Sequence, residues 1–213
     1  MIQGSPPRQS SIQVVGVVKG LVRDADLLPG ILDAFRPKAI GLGISAEELE
    51  SLGTQFTDVP TEPAVPLLTS ENIEVRELAR FGEVQVPNPG MVRAISWARQ
   101  HGAACEALDP SDDVYSEMFT EHIGYFELVR RTLRERRLLR SPPKASSADE
   151  LVVAWDDRLK GRRGSARFAS AREAEEVRRI SQLVARWGRA VAVVDRERFE
   201  GVMGQLAGAV PAK

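Results

Sequence analysis

The chain reads as an α/β protein of a single domain, with a central, mainly parallel sheet of βα units flanked by helices. Short Val/Ile-rich runs alternate with stretches of helical periodicity along its whole length. Near the start, strand, helix and strand follow one another within about thirty residues, a βαβ unit that implies parallel strands and a right-handed crossover. A length of 213 residues with 43% hydrophobic residues is enough for one full-sized core.

The elements follow in order. "SIQVVGVV", residues 11–18, is a β-branched apolar run and predicts a buried strand. Asp24 is placed to cap a helix through about Phe35, which stops before Arg36-Pro37 because proline disfavours helical geometry in the residue before it. "KAIGLGI" predicts a second strand ending at Gly43, and Ser45 caps "AEELESL", with glutamates in its first turn. Residues 53–69 carry three prolines and no periodicity, which predicts a long loop before a helix at about 70–81. "MVRAISWARQHG" predicts a helix closed by Gly102, and "AACEALD" a third strand that carries Cys105.

From Ser111 to about Leu139 the pattern predicts one long helix. Val114, Met118, Phe119, His122, Phe126, Val129 and Leu133 recur at three- and four-residue spacing and would share one apolar face. "ADELVVAWDDRL" predicts a short helix, "KGRRGSARF" a basic loop, and "SAREAEEVRRISQLVARWG" a capped helix ending at Gly188. "AVAVVD" is the last strand and "RERFEGVMGQLAG" a terminal helix. The polar, proline-bearing residues 1–10 are expected to be a disordered leader, 11–208 the folded domain, and 209–213 a short tail.

With 29 Lys and Arg against 30 Asp and Glu, the net charge of −1 favours neither a polyanion partner nor an acidic tail. The single Cys105 excludes an intrachain disulfide and a cysteine zinc cluster, and fits a reducing, cytoplasmic setting. No apolar run approaches the ~20 residues that span a bilayer. Residues 130–140 hold six arginines against one glutamate, and with Arg158, Lys160, Arg162, Arg163 and Arg167 they could meet a phosphate backbone. A solvated helix end that complements its own dipole is the stronger reading, because no aromatic residue interrupts the arginines to stack on bases. Nucleic acid is therefore the weakest partner class; a protein partner, or a second copy seated on the apolar long helix, ranks above it.

In open parallel sheets ligands bind beyond the carboxyl ends of the strands. The sequence sends there Lys19 and Gly20, Gly43, Asp109, and the run Asp195-Arg196-Glu197-Arg198. No serine nucleophile is backed by a histidine, and the glycines form neither nucleotide-binding fingerprint, so no cofactor is implied. His101 and His122 fall on helical segments, and Cys105 reads as a small apolar strand residue, so the three do not make a metal set.

The stretch "VVGVVKGLVRDADLLPGILDAFRPKAIGLGISAEELESL" resembles the opening of the TraB/PrgY family, which shares a superfamily with Tiki-type proteases, GumN, the ChaN haem-binding lipoproteins and the erythromycin esterases. "MVRAISWARQHGAACEALDPSDD", "VRRISQLVARWG", "AVAVVD" and "ERFEGVMGQL" extend the likeness over about residues 11–207, with Arg179 in the place of the family's helical arginine and Gly201 in that of a motif glycine. The resemblance implies a TraB/ChaN-like α/β fold and a hydrolase site. The positions that would carry the chemistry differ. Lys19 stands in place of the first-motif histidine, Gly43 in place of a glutamate, and Asp195, Glu197 and Arg198 in place of the second motif's two glycines and histidine. Lysine and arginine offer a metal ion no free lone pair, so the resemblance implies a degenerate site without metal, and a binding or regulatory protein.

Two arrangements of the replaced residues stay open. Lys19, Arg198 and Arg179, with the amides of Gly20 and Gly43, could hold a small carboxylate or phosphate. Alternatively Asp109, Asp195 or Glu197 neutralises these cations internally. An altered hydrolase would use Lys19, Asp109, Asp195 and Glu197 as its candidate catalytic groups.

Overall fold

The computed structural model describes residues 3–4, 11–55, 69–161 and 164–209. Four strands run parallel: β2 (Ile12–Val17), β3 (Ala39–Leu42), β4 (Ala104–Ala107) and β5 (Ala190–Asp195). The two-residue β1 (Gln3–Gly4) pairs antiparallel along the outer edge of β2, giving the order β1-β2-β5-β3-β4. The last strand thus inserts between the first two parallel ones, pairing Ile12 and Ala39 with the same residue, Ala190. A strand with neighbours on both edges and helices on both faces must be apolar throughout. "AVAVV" meets that demand, and its five residues are buried.

Successive side chains on these strands point to opposite layers. Val15, Val17, Ile40, Leu42, Val191 and Val193 face α1 (Val22–Phe35) and α4 (Pro89–His101), meeting Leu28, Leu32, Met91 and Ile95. Val14, Ala192 and Val194 face α8 (Gly164–Trp187) and α9 (Arg196–Ala209), where Val177, Ile180, Phe199 and Val202 complete the second layer. Gly41 is needed on that side because a Cβ there would stand 2.8 Å from Leu108. The remaining helices are α2 (Ala46–Gln55), α3 (Thr69–Leu78), α5 (Asp112–His122), α6 (Tyr125–Arg140) and α7 (Ala148–Lys160). No helix among the described residues is long and apolar enough to cross a membrane.

Several expectations need correction. Residues 111–139 are two helices, broken at Ile123-Gly124, where Ile123 turns inward and glycine, a poor helix former, opens α6 in an extended conformation. Their apolar residues do not share one face. Tyr115 and Phe119 on α5 pack edge-on against Phe168 of α8, whereas Phe126, Val129 and Leu133 on α6 are exposed. Residues 53–55 continue α2 rather than opening a loop, and 56–68 lie outside the described residues. The basic loop is largely the start of α8 at Gly164, with 162 and 163 outside the description. Of the expected leader, Gln3 and Gly4 are strand. Asp24 does not cap α1 from outside; it lies in the first turn and accepts a hydrogen bond from the Val18 amide at 3.1 Å.

Candidate functional site

The carboxyl ends of β3, β4 and β5 converge on one guanidinium. Helix α9 starts directly after β5, so Arg198 falls in its first turn and reaches back over the sheet. Its Nη1 donates to Asp109 Oδ1 at 2.7 Å and to Glu176 Oε2 at 3.2 Å. Its Nη2 donates to the Gly43 carbonyl at 3.0 Å and to Asp195 Oδ2 at 2.9 Å. Arg172, on α8, joins from the other side, donating from Nε to Asp109 Oδ1 at 3.0 Å and from Nη2 to Asp109 Oδ2. Arg198 and Asp109 are both buried, and Glu176 has no exposed surface at all.

Electrostatics follow from that enclosure. Burial pushes the Glu176 carboxyl up to about 7 against the pull of Arg198, with Asp109 and Asp195 adding repulsion. Glu197, half-buried in the same turn as Arg198, is pushed up to about 8 by burial and by the charge of Asp195. Burial would raise Asp109 too, but the guanidinium groups of Arg198 and Arg172 outweigh it and hold that carboxyl below its ordinary value. Burial works against the charge on Arg198, and Glu176, Asp195 and Asp109 more than offset it, so Arg198 stays protonated.

Gly43, Asp109, Asp195 and Arg198 are thus brought together. Glu197 points elsewhere: with Tyr115, Asp156, Phe168, Arg172 and Arg198 it lines a cavity of about 100 Å³ on the α8 side. There burial raises the Asp156 carboxyl despite its 2.6 Å ion pair with Lys160, and Arg172 lies over the Tyr115 ring at 5.4 Å. Lys19 sits at the tip of a tight turn closed by the Leu21 amide donating to Val18 O at 3.1 Å, with Gly20 at φ +86°. That backbone suits glycine, and a side chain there would also meet Val84 and the Gln85 carbonyl. The turn turns Lys19 outward to a separate cavity of about 260 Å³ shared with Glu48, Leu78, Val84 and Asn88. Glu48 stands between the two regions, within electrostatic reach of Lys19, Asp195, Asp109 and Arg172.

Arg179 does not join Arg198; it pairs with Glu175 at 2.8 Å on the same helix. Of the two arrangements the sequence leaves open, the anion pocket of Lys19, Arg179 and Arg198 is therefore not assembled. Three carboxyl groups of the chain and the Gly43 carbonyl already occupy both terminal nitrogens of Arg198, leaving little of the guanidinium for a further anion. Arg172, Glu176 and Asp156 escaped the sequence reading. Their signal was a charged residue inside an apolar helical stripe: Glu176 lies in phase with Phe168, Ile180 and Leu183, all buried.

A divalent metal does not fit this donor set. The oxygens of Asp109, Glu176 and Asp195 point at a fixed cation, and an ion beside Arg198 would be repelled by it. Among the described residues no three His, Cys, Asp or Glu side chains are grouped to hold a metal. His101 instead stacks on Trp97 at 4.1 Å between ring centres. Of the cations that could form a basic patch, Arg134 pairs with Glu127, Arg158 donates to the Ser141 carbonyl, and Lys160 pairs with Asp156 and Glu173.

Fold and site together define an α/β protein whose strand-end crevice is closed by an internal Arg–carboxylate network. No family model matches the chain, and no curated protein matches it.

Proposed function

We propose that the chain is a catalytically inactive binding or regulatory protein on a TraB/PrgY-like frame. The observation that carries this reading is the position of Arg198. A permanent cation, held by Asp109, Glu176, Asp195 and the Gly43 carbonyl, fills the place that the resemblance gives to a metal. Gly43 supports it further. A Cβ on Gly43 would stand 3.0 Å from Glu176 Oε1 and 3.3 Å from Arg198 Nη2, so a glutamate at this position and the present network exclude each other. In this reading the crevice is structural, and binding occurs elsewhere on the surface. Metal analysis of the purified protein tests it. Substoichiometric zinc, manganese and cobalt are expected; a stoichiometric ion retained through chelation would overturn the proposal.

One observation favours a second reading, a hydrolase with an altered site. Glu197 borders a cavity beside Asp156 and Arg172, and its carboxyl is pushed to about 8, a value suited to general acid or base work near neutral pH. Turnover of simple esters or peptides that vanishes in Glu197→Gln would favour this reading over the first.

A further inference from the structure

Among the described residues, nothing covers the outward face of helix α6. Its inner side is pinned. Arg134 Nη2 donates to Glu127 Oε1 at 2.6 Å and to Ser165 Oγ at 2.9 Å, Ser165 Oγ donates to Glu127 at 2.8 Å, and Leu138 is buried. The opposite side is therefore fixed toward solvent. Tyr125, Val129, Leu133, Arg136 and Arg140 form one row along it, with Phe126, Arg130 and Arg137 beside them. Tyr125 and Phe126 are each 76% exposed and Leu133 58%. Isolated exposed apolar residues are ordinary, but a continuous stripe of aromatic and aliphatic side chains running into arginines is not.

Charge decides what could cover this face. The helix holds six arginines against two glutamates, in a chain whose total charge is −1. One of those glutamates, Glu127, is turned inward on Arg134. A second copy laid parallel on the same face would bring like charge against like charge, and laid antiparallel it would set guanidinium groups over apolar side chains with no anion to meet them. Nucleic acid would match the arginines but leave Val129 and Leu133 without a partner. A surface with negative headgroups above hydrocarbon satisfies both halves: the apolar side chains enter the boundary region and the guanidinium groups meet the phosphates. The 16-residue length, about 24 Å of helix, suits lying in the interface and not spanning it.

We infer that the outward face of α6 is a docking surface for an anionic phospholipid bilayer. The face lies outside the strand-end network, so the inference stands whether or not the crevice is inactive.

Co-sedimentation of the full chain with phosphatidylcholine vesicles, with and without phosphatidylglycerol, tests it. Binding is expected only to the anionic vesicles, weakening as salt is raised. The exposed-residue variants Phe126→Ser with Leu133→Ser, and Arg136→Glu with Arg140→Glu, should each reduce it on the order of tenfold or more. Absence of anionic-vesicle binding by the wild type, or binding unchanged in both variants, overturns the inference. So does self-association that the same variants abolish, which would assign the face to a second copy, or oligonucleotide binding that displaces the vesicles.

Discussion

The Gly43 carbonyl accepts a hydrogen bond from Arg198 Nη2 at 3.0 Å, joining the end of β3 to the first turn of α9 across 155 positions of sequence. The contact exists because glycine carries no side chain. Glu176 Oε1 stands 3.0 Å from the point a Cβ would occupy, and the Val194 Cα stands 3.3 Å from it. Glu176 reaches this point from the neighbouring helix α8, and Arg198 bridges it to the end of β3.

Gly43→Ala should therefore destabilise the protein. The Val194 backbone cannot move aside, and the Glu176 side chain is held through its other oxygen by Arg198. A loss of roughly 1–3 kcal/mol is expected, the range for overpacking a filled interior. Urea titration measures it; an unchanged midpoint would mean that the crevice is looser than described.

Stability should fall as pH rises from about pH 5 to about pH 8. Glu176 keeps its proton in the folded chain up to about 7, whereas the unfolded carboxyl releases it near 4.5. The folded state therefore binds more protons over that window, and raising the pH favours unfolding. Glu197, pushed to about 8, extends the window upward. Asp109 acts in the opposite sense, but its lowered value confines its effect to more acidic conditions. Glu176 alone should make the unfolding free energies at the two ends differ by roughly 1–3 kcal/mol, and Glu197 adds to that difference. Glu176→Gln, which keeps the shape and removes the titration, should shrink that difference.

Cys105 should be inert to thiol reagents in the native protein. Burial pushes its thiol up to about 12, so almost no thiolate exists at neutral pH. Ellman's reagent should titrate it rapidly only after denaturant is added, and prompt reaction of the native protein at pH 8 would show that the thiol, half-buried on the edge strand β4, is not held protonated.

The strands and most helices were legible because their cues are local. "AVAVVD" declares a strand buried on both faces, and Asn88-Pro89 and Gly102 bracket α4 with a cap at each end. The insertion of β5 between β2 and β3 was not legible, because no local pattern encodes which strands become neighbours. The break at Ile123-Gly124 was hidden by a periodicity that continues through it, and periodicity does not say whether an apolar row has a partner. At the site, Gly43, Asp109, Asp195 and Arg198 could be read because all lie at or just beyond strand ends. Arg172 and Glu176 cannot be read that way, since they arrive on a helix crossing the sheet face, and no local pattern separates Arg172 from Arg179, almost two turns further along the same helix. Lys19 lies just beyond the end of β2, but the turn at Gly20 carries it to a different cavity.

Arg198 serves as the internal counter-charge of the strand-end carboxyl groups, and a double-mutant cycle between Arg198 and Asp109 measures that role. Arg198→Met alone should cost about 3–5 kcal/mol by leaving buried carboxylates uncompensated. Asp109→Asn in the same background should then cost much less than it does in the wild type, giving a coupling of roughly 2 kcal/mol or more. Arg179→Ala, which removes only the partly exposed pair with Glu175, should cost no more than about 1 kcal/mol. Additive effects at Arg198 and Asp109, within about 0.5 kcal/mol, would mean that Arg198 does not serve as the counter-charge of Asp109.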